Sequence, residues 1–135
     1  MPLASHKGAL AVAAVIDIAL HCQTRPVSAK ALAARNGLTP RHLEPVLQAL
    51  VHAGILRSVR GPNGGYEIAR DRREISADDV IRVAETSESG STARMVTPIL
   101  ANVIIPVFAQ AEQAFSAVLT KISIDDLVRL AGTLI

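Results

Sequence analysis

Cysteine is almost absent from this 135-residue chain, where Cys22 stands alone. One thiol cannot close an internal disulfide or supply the several thiolates of a structural zinc or iron-sulfur centre, and the composition favours a reducing cytoplasm. With no Trp, one Tyr and two Phe, an aromatic ligand cage is not expected. The four histidines, His6, His21, His42 and His52, lack metal-site spacing. No paired acids or nucleophile-base pair appears, so the chain does not read as an enzyme. Long hydrophobic runs are also missing. Ala9–Leu20 is interrupted by Asp17, and Met95–Ala109 by Asn102 and two prolines. Both fall short of the roughly 20 residues that span a bilayer, and the first lacks a basic leader and a small-residue cleavage site. Neither a membrane partner nor export is expected.

What is present is aliphatic. Half of the residues are hydrophobic, mostly Ala, Val, Leu and Ile, which suits a helix-rich protein with one compact core. Net charge is only +2, but it is unevenly placed. Residues 1–75 hold ten Lys/Arg against five Asp/Glu, a balance of +5, and residues 76–135 hold four against seven, or −3. The basic part is expected to face a polyanion and the acidic part to have another task.

Apolar residues at 11, 14, 15, 18, 19 and 22 have the three-and-four spacing of a helix stripe over 7–22, with Cys22 on it and Pro26 as a stop. Ser28 is placed as the N-cap of a second helix of about eight residues, with Val27 and Leu32 as its hydrophobic staple. Gly37 suits a left-handed C-cap. A third helix then begins with Thr39 as N-cap, Pro40 at the first helical position and Leu38 stapling to Leu43, and ends at Gly54. So tight a turn makes helices two and three a helix-turn-helix. Leu43, Val46, Leu47 and Leu50 form the buried stripe, leaving Arg41, His42, Glu44, Pro45 and Gln48 outward. Pro45, inside the helix at a cost of about 3 kcal/mol, predicts a bend without a break.

Next comes Arg60-Gly61-Pro62-Asn63-Gly64-Gly65-Tyr66 between the β-suited runs Ile55–Arg60 and Tyr66–Ala69. A hairpin tip is the simplest reading, and a phosphate loop is not supported because the GxxxxGK[ST] spacing is missing. Directly after a helix-turn-helix, a hairpin is a wing. Its glycines would let the turn approach DNA while Arg60 reaches phosphate or the minor groove.

Ser76-Ala77-Asp78-Asp79 has a capping-box pattern and opens a helix through about Glu85. Residues 86–94, TSESGSTAR, form a polar linker. A long helix from Thr97-Pro98 to about Lys121 carries apolar residues at 104, 108, 111, 115, 118 and 122, a seam for a partner helix, with a kink expected at Pro106. Its first half is apolar nearly all round, which one small domain cannot cover, so a homodimer is expected. Ser123 caps a last short helix. The organisation is therefore a DNA-binding domain over 1–75 and a linker with dimerisation helices over 76–135.

KGALAV, VSAKALAARNGLTPRHLEPVLQAL, GILRSVRGPNGGYEIAR, ISADDVIRVAE and ISIDDL, in this order over most of the chain, resemble the Rrf2 family of bacterial winged helix-turn-helix transcription regulators, which includes the cluster-sensing IscR and NsrR types. The wing motif is the most specific of these. The resemblance implies a mainly α fold with a small β-hairpin, and a homodimer whose long helices cross to the partner. It also implies binding of a near-palindromic operator on double-stranded DNA. In the cluster-binding branch three cysteines lie between winged domain and long helix, whereas this chain reads TSESGSTARMVTPILAN there. An iron-sulfur cluster is therefore not expected, and no other cofactor is. His42-Leu43-Glu44 replaces the family's frequent Tyr-Leu-Glu.

On this reading Glu44 accepts from a cytosine amino group, and Arg41, His42 and Gln48 reach base edges or phosphates. Ser28 and Thr39 hold phosphates at their helix N-termini, Lys7 and Lys30 contact the backbone, and Arg60 with Asn63 anchors the wing. Ser28 and Thr39 as plain caps, Arg41 as a solvated side chain, and Glu44 in a salt bridge with Arg41 or a lysine, are the structural alternatives. Cys22 is either an inert buried thiol or a redox switch. The whole reads as a cytoplasmic repressor with an unknown small-molecule or redox effector. The competing reading is a winged-helix protein-interaction module, against which the basic Arg41, Arg57 and Arg60 argue.

Overall fold

The computed structural model describes residues 6–86 and 98–133. The expected linker over 86–94 and the start of the long helix at Thr97 therefore lie almost wholly outside the described residues.

Helix α1 spans His6–His21, and its Ala11, Ala14, Val15, Ile18 and Ala19 are buried. Cys22 falls one residue past the helix and is only partly buried against the core, its N–H bonded to the Ile18 carbonyl at 2.8 Å. Helix α2, Ala29–Arg35, is capped by Ser28, whose hydroxyl accepts from the Ala31 N–H at 3.0 Å. Gly37 adopts a φ of +66°, where a β-carbon would be unfavourable, so the chain reverses at once into α3, Pro40–His52. Leu43, Val46, Leu47 and Leu50 are buried as the periodicity requires, and α3 passes through Pro45 without a break.

Strands β1, Leu56–Val59, and β2, Gly65–Ile68, pair antiparallel with Ser58 opposite Tyr66 and Arg57 opposite Glu67. After a short 3-10 turn at Arg72–Glu74, α4 runs Ala77–Thr86 and packs against α1 and α3. The long apolar rod follows, as a π-helical stretch at Leu100–Ile104 and then α5, Ile105–Thr120; α6 spans Ile124–Gly132. This widened turn lies directly before Pro106, where a kink is expected. Proline offers no N–H to the carbonyl four residues back and its ring crowds that carbonyl, which a π-turn relieves.

Two copies of one local device join the halves. Ser76 and Asp79 cap each other's backbone at 3.0 and 3.1 Å, and Ser123 and Asp126 do the same at 3.0 Å. The two caps lie side by side, because the Ala77 N–H donates to Ile122 and the Ile124 N–H to Ile75. Ile75 and Ile124 beneath them are fully buried. Val80, Ala84, Ile124 and Val128 thus join the same core cluster as the first half.

Candidate nucleic-acid interface

The outward face of α3 is polar throughout its first turns, with Arg41, His42, Glu44, Pro45 and Gln48 all exposed. Each of them alternates with a buried core residue, so the apolar stripe fixes their direction. Among the described residues, neither Arg41 nor Glu44 has an ion-pair partner. Glu44 is therefore not engaged by the salt bridge that was the alternative for it.

Thr39 departs from expectation. It occupies the N-cap position but makes no side-chain cap; its hydroxyl lies 2.9 Å from Nδ1 of His42 instead. The imidazole one turn along competes for the hydroxyl, which ties two of the expected contacts to each other. Gln48 is likewise engaged, its Nε2 donating to the Tyr66 hydroxyl on β2 at 3.4 Å. Tyr66 was not among the expected site residues, since strand pattern alone does not say which helix a wing side chain meets.

The wing is docked through its backbone. The Val27 N–H donates to the Tyr66 carbonyl at 2.8 Å and the Tyr66 N–H to the Val27 carbonyl at 2.7 Å. A β-carbon on Gly65, at φ +156°, would lie 2.4 Å from the Val27 carbonyl oxygen, and one on Gly64 would lie 2.2 Å from that of Val59. Gly64 and Gly65 are therefore needed for close packing inside the protein, whereas a β-carbon on Gly61, at the tip, would meet nothing within 4 Å. Arg60 and Asn63 sit exposed at the tip.

The positive charge of the first half is partly neutralised. Arg57, counted in the expected basic face, pairs with Glu67 across the hairpin at 2.7 Å. Arg35 forms a two-pronged bond to Asp17 that holds α2 to α1, and this bond raises the Arg35 pKa further. Arg72 and Arg73 pair with Asp125 and Asp71. Lys30, Arg41 and Arg60 have no such partner among the described residues and are exposed. Lys7 is half-buried on α1 and Ser28 serves as a cap.

The rod carries the other unusual surface. Ile99, Val107 and Phe108 are 67%, 57% and 52% exposed, with Val103, Ile104, Ile105 and Val118 in the same condition. Within the expected seam, Phe115 and Ile122 are partly covered by their own protomer. Asn102–Thr120 is long and apolar enough to cross a membrane by length and composition, beyond the shorter run that the sequence suggested. It also carries Gln110, Glu112 and Gln113, and Ser116 bonds to Asp78 on α4.

Two packed helices joined by a tight turn and followed by a docked two-stranded wing define a winged helix-turn-helix, here extended by an apolar rod. A family model described as Rrf2, iron-dependent transcriptional regulator, matches residues 4–130. The chain belongs to this family of transcription regulators. It is 40% identical over 81 residues to the HTH-type transcriptional regulator IscR of Vibrio campbellii, which is 60% of this chain and 48% of that one. It thus spans about half the length of the curated relatives it matches. Among solved structures, IscR of T. potens superposes with a TM-score of 0.74 at 35% identity, covering 95% of this chain and 87% of that one. CymR, described as the global cysteine regulator of B. subtilis, superposes with a TM-score of 0.74 at 28% identity, covering 96% and 98%.

The family description names iron, and the donor set here does not fit an iron-sulfur cluster. Residues 87–97, SESGSTARMVT, contain no thiol, and Cys22 is the sole cysteine of the chain. Among the described residues no three His, Cys, Asp or Glu side chains gather.

Proposed function

We propose that this protein is a homodimeric repressor in the bacterial cytoplasm, and that it recognises a near-palindromic operator by inserting α3 into the major groove. The observation that supports this most is the α3 surface, on which Arg41, His42, Glu44 and Gln48 stand exposed over a stripe of buried leucines and valine. Arg41 and Gln48 offer donors to base edges or phosphates, and Glu44 accepts from a cytosine amino group. Lys7, Ser28, Lys30, Thr39, Arg60 and Asn63 are assigned to the sugar-phosphate backbone, which sets register without reading sequence.

The apolar rod favours a second copy of the chain as its cover, since a lone protomer exposes Ile99, Val103, Val107 and Phe108 to water. Paired copies would place two α3 helices in successive major grooves about 34 Å apart, roughly one turn of DNA. The signal is assigned to a small molecule or a redox event and not to an iron-sulfur cluster, because the thiolates for one are missing. Cys22, half-buried beside the helix-turn-helix, is the residue at which a redox event would act.

Enrichment of duplexes from a random library, followed by affinity measurement across salt, tests the reading. A linear log-log dependence with a slope of about −0.9 per neutralised phosphate is expected, and Arg60→Ala should reduce that slope by about one contact. Salt-independent or absent duplex binding would support the protein-interaction module instead.

A further inference from the structure

We propose that the Tyr66 hydroxyl, held by Gln48 where the recognition helix meets the wing, is a hydrogen-bond donor to a DNA phosphate. The inference rests on the DNA-binding reading above and adds to it a residue that neither the motifs nor the helix pattern indicated.

Position comes first. The backbone of Tyr66 is bonded in both directions to Val27, and its ring packs partly buried against the core. Gly65 permits that approach, since any β-carbon there would collide with the Val27 carbonyl. With main chain and ring both held, the hydroxyl has little freedom left to lose on binding. It reaches the surface beside Gln48, on the exposed face of α3.

Polarity comes second. A phenol has one proton to give and lone pairs to receive with. Gln48 Nε2 donates to the oxygen, so the phenolic proton is directed elsewhere, and no acceptor for it exists among the described residues. A polarised O–H whose oxygen already accepts a bond is a stronger donor. Lys30, Arg41 and Arg60, cations without ion-pair partners among the described residues, belong to α2, α3 and the turn that follows β1. Arg57 and Glu67 neutralise each other at the adjacent hairpin pair. The acceptor chemistry that suits a neutral donor on a surface whose α2, α3 and wing turn each carry an uncompensated cation is a phosphate oxygen. Gln48 retains its own carbonyl oxygen for a base amino group.

The test compares the full-length protein with Tyr66→Phe on a duplex enriched by the wild type and on a scrambled duplex, over a range of potassium chloride. Tyr66→Phe is expected to weaken both by about tenfold, as for loss of a hydrogen bond to a charged group. The salt slope should stay unchanged, because a neutral hydroxyl displaces no counterion. A scan of single methylphosphonate substitutions is expected to find one phosphate whose neutralisation abolishes the difference between the two proteins. Thermal unfolding of both is measured alongside. Equal affinities, or a difference that no methylphosphonate removes, would overturn the contact, and a lowered melting temperature with equal affinity would assign Tyr66 to wing packing alone. If the wild type binds no duplex, the underlying reading fails and the contact with it; if the wild type binds and Tyr66→Phe matches it, the contact alone fails.

Discussion

Ser116 on α5 donates its hydroxyl to Oδ1 of Asp78 on α4 at 2.7 Å. Asp78 is 6% exposed, and its second oxygen is taken by Arg82 at 2.7 Å. One buried carboxylate thus fastens the apolar rod to the body that carries the helix-turn-helix. Removing it takes the acceptor from the part-buried Ser116 hydroxyl, while the exposed Arg82 can turn to water. Asp78→Ala should cost about 1–3 kcal/mol, lowering the melting temperature by several degrees in a chain of this size. Asp78→Asn, which keeps an acceptor for Ser116, should lose less. Circular dichroism melts of the three proteins check the order.

The proposed dimer seam makes a separate prediction. Phe108 is 52% exposed in the protomer, so a charge there costs the single subunit little, but it would be costly within an apolar helix pair. Phe108→Glu should shift sedimentation from dimer to monomer at micromolar concentration. Affinity for an enriched duplex should fall by orders of magnitude, since one half-site contact is lost. Unchanged sedimentation would place the partner surface elsewhere.

At the wing, Gly65→Ala should be much more harmful than Gly61→Ala. Both glycines have positive φ, but only at Gly65 does an added β-carbon meet backbone, 2.4 Å from the Val27 oxygen; around Gly61 there is open space. A loss of about 1–3 kcal/mol is expected for Gly65→Ala and a smaller one for Gly61→Ala. Denaturant titration would separate the two.

Acid should destabilise the protein late. Hydrogen bonds from the Arg73 side chain and backbone pull the Asp71 carboxyl from 3.8 to about 2, and the Ser123 backbone N–H, with Arg129, lowers Asp126 in the same direction. The folded state therefore binds fewer protons than the unfolded chain over this window. Their stabilisation is complete above about pH 4 and is lost as the pH falls towards 2. Melting temperature should be level from neutral pH to about 4 and then decline, and Asp71→Asn should flatten part of that decline. An identical acid limb in the variant would refute the assignment.

Local signals carried most of the architecture. Ser28, Ser76 and Ser123 cap helices where their positions indicated, Gly37 and Gly54 take positive φ at helix ends, and Leu43 to Leu50 bury one stripe of α3. Each depends on residues within a turn or two along the chain, and the spacing of apolar residues dictates which face turns inward. The polar face of α3 was legible for the same reason. Thr39 is the exception, because His42 competes for its hydroxyl at a distance that caps and side-chain partners share.

The sequence by itself thus determined most of the described elements, the ends that caps and glycines mark, and the inward and outward faces of α3. Tertiary structure alone decided the partners across the fold: Gln48 with Tyr66, Asp17 with Arg35, Arg57 with Glu67, Asp78 with Ser116, and Gly65 against Val27. Side chains 10 to 38 positions apart meet only after the helices have crossed and the hairpin has closed. Neither propensity nor periodicity encodes those distances, because both describe how a residue relates to its near neighbours.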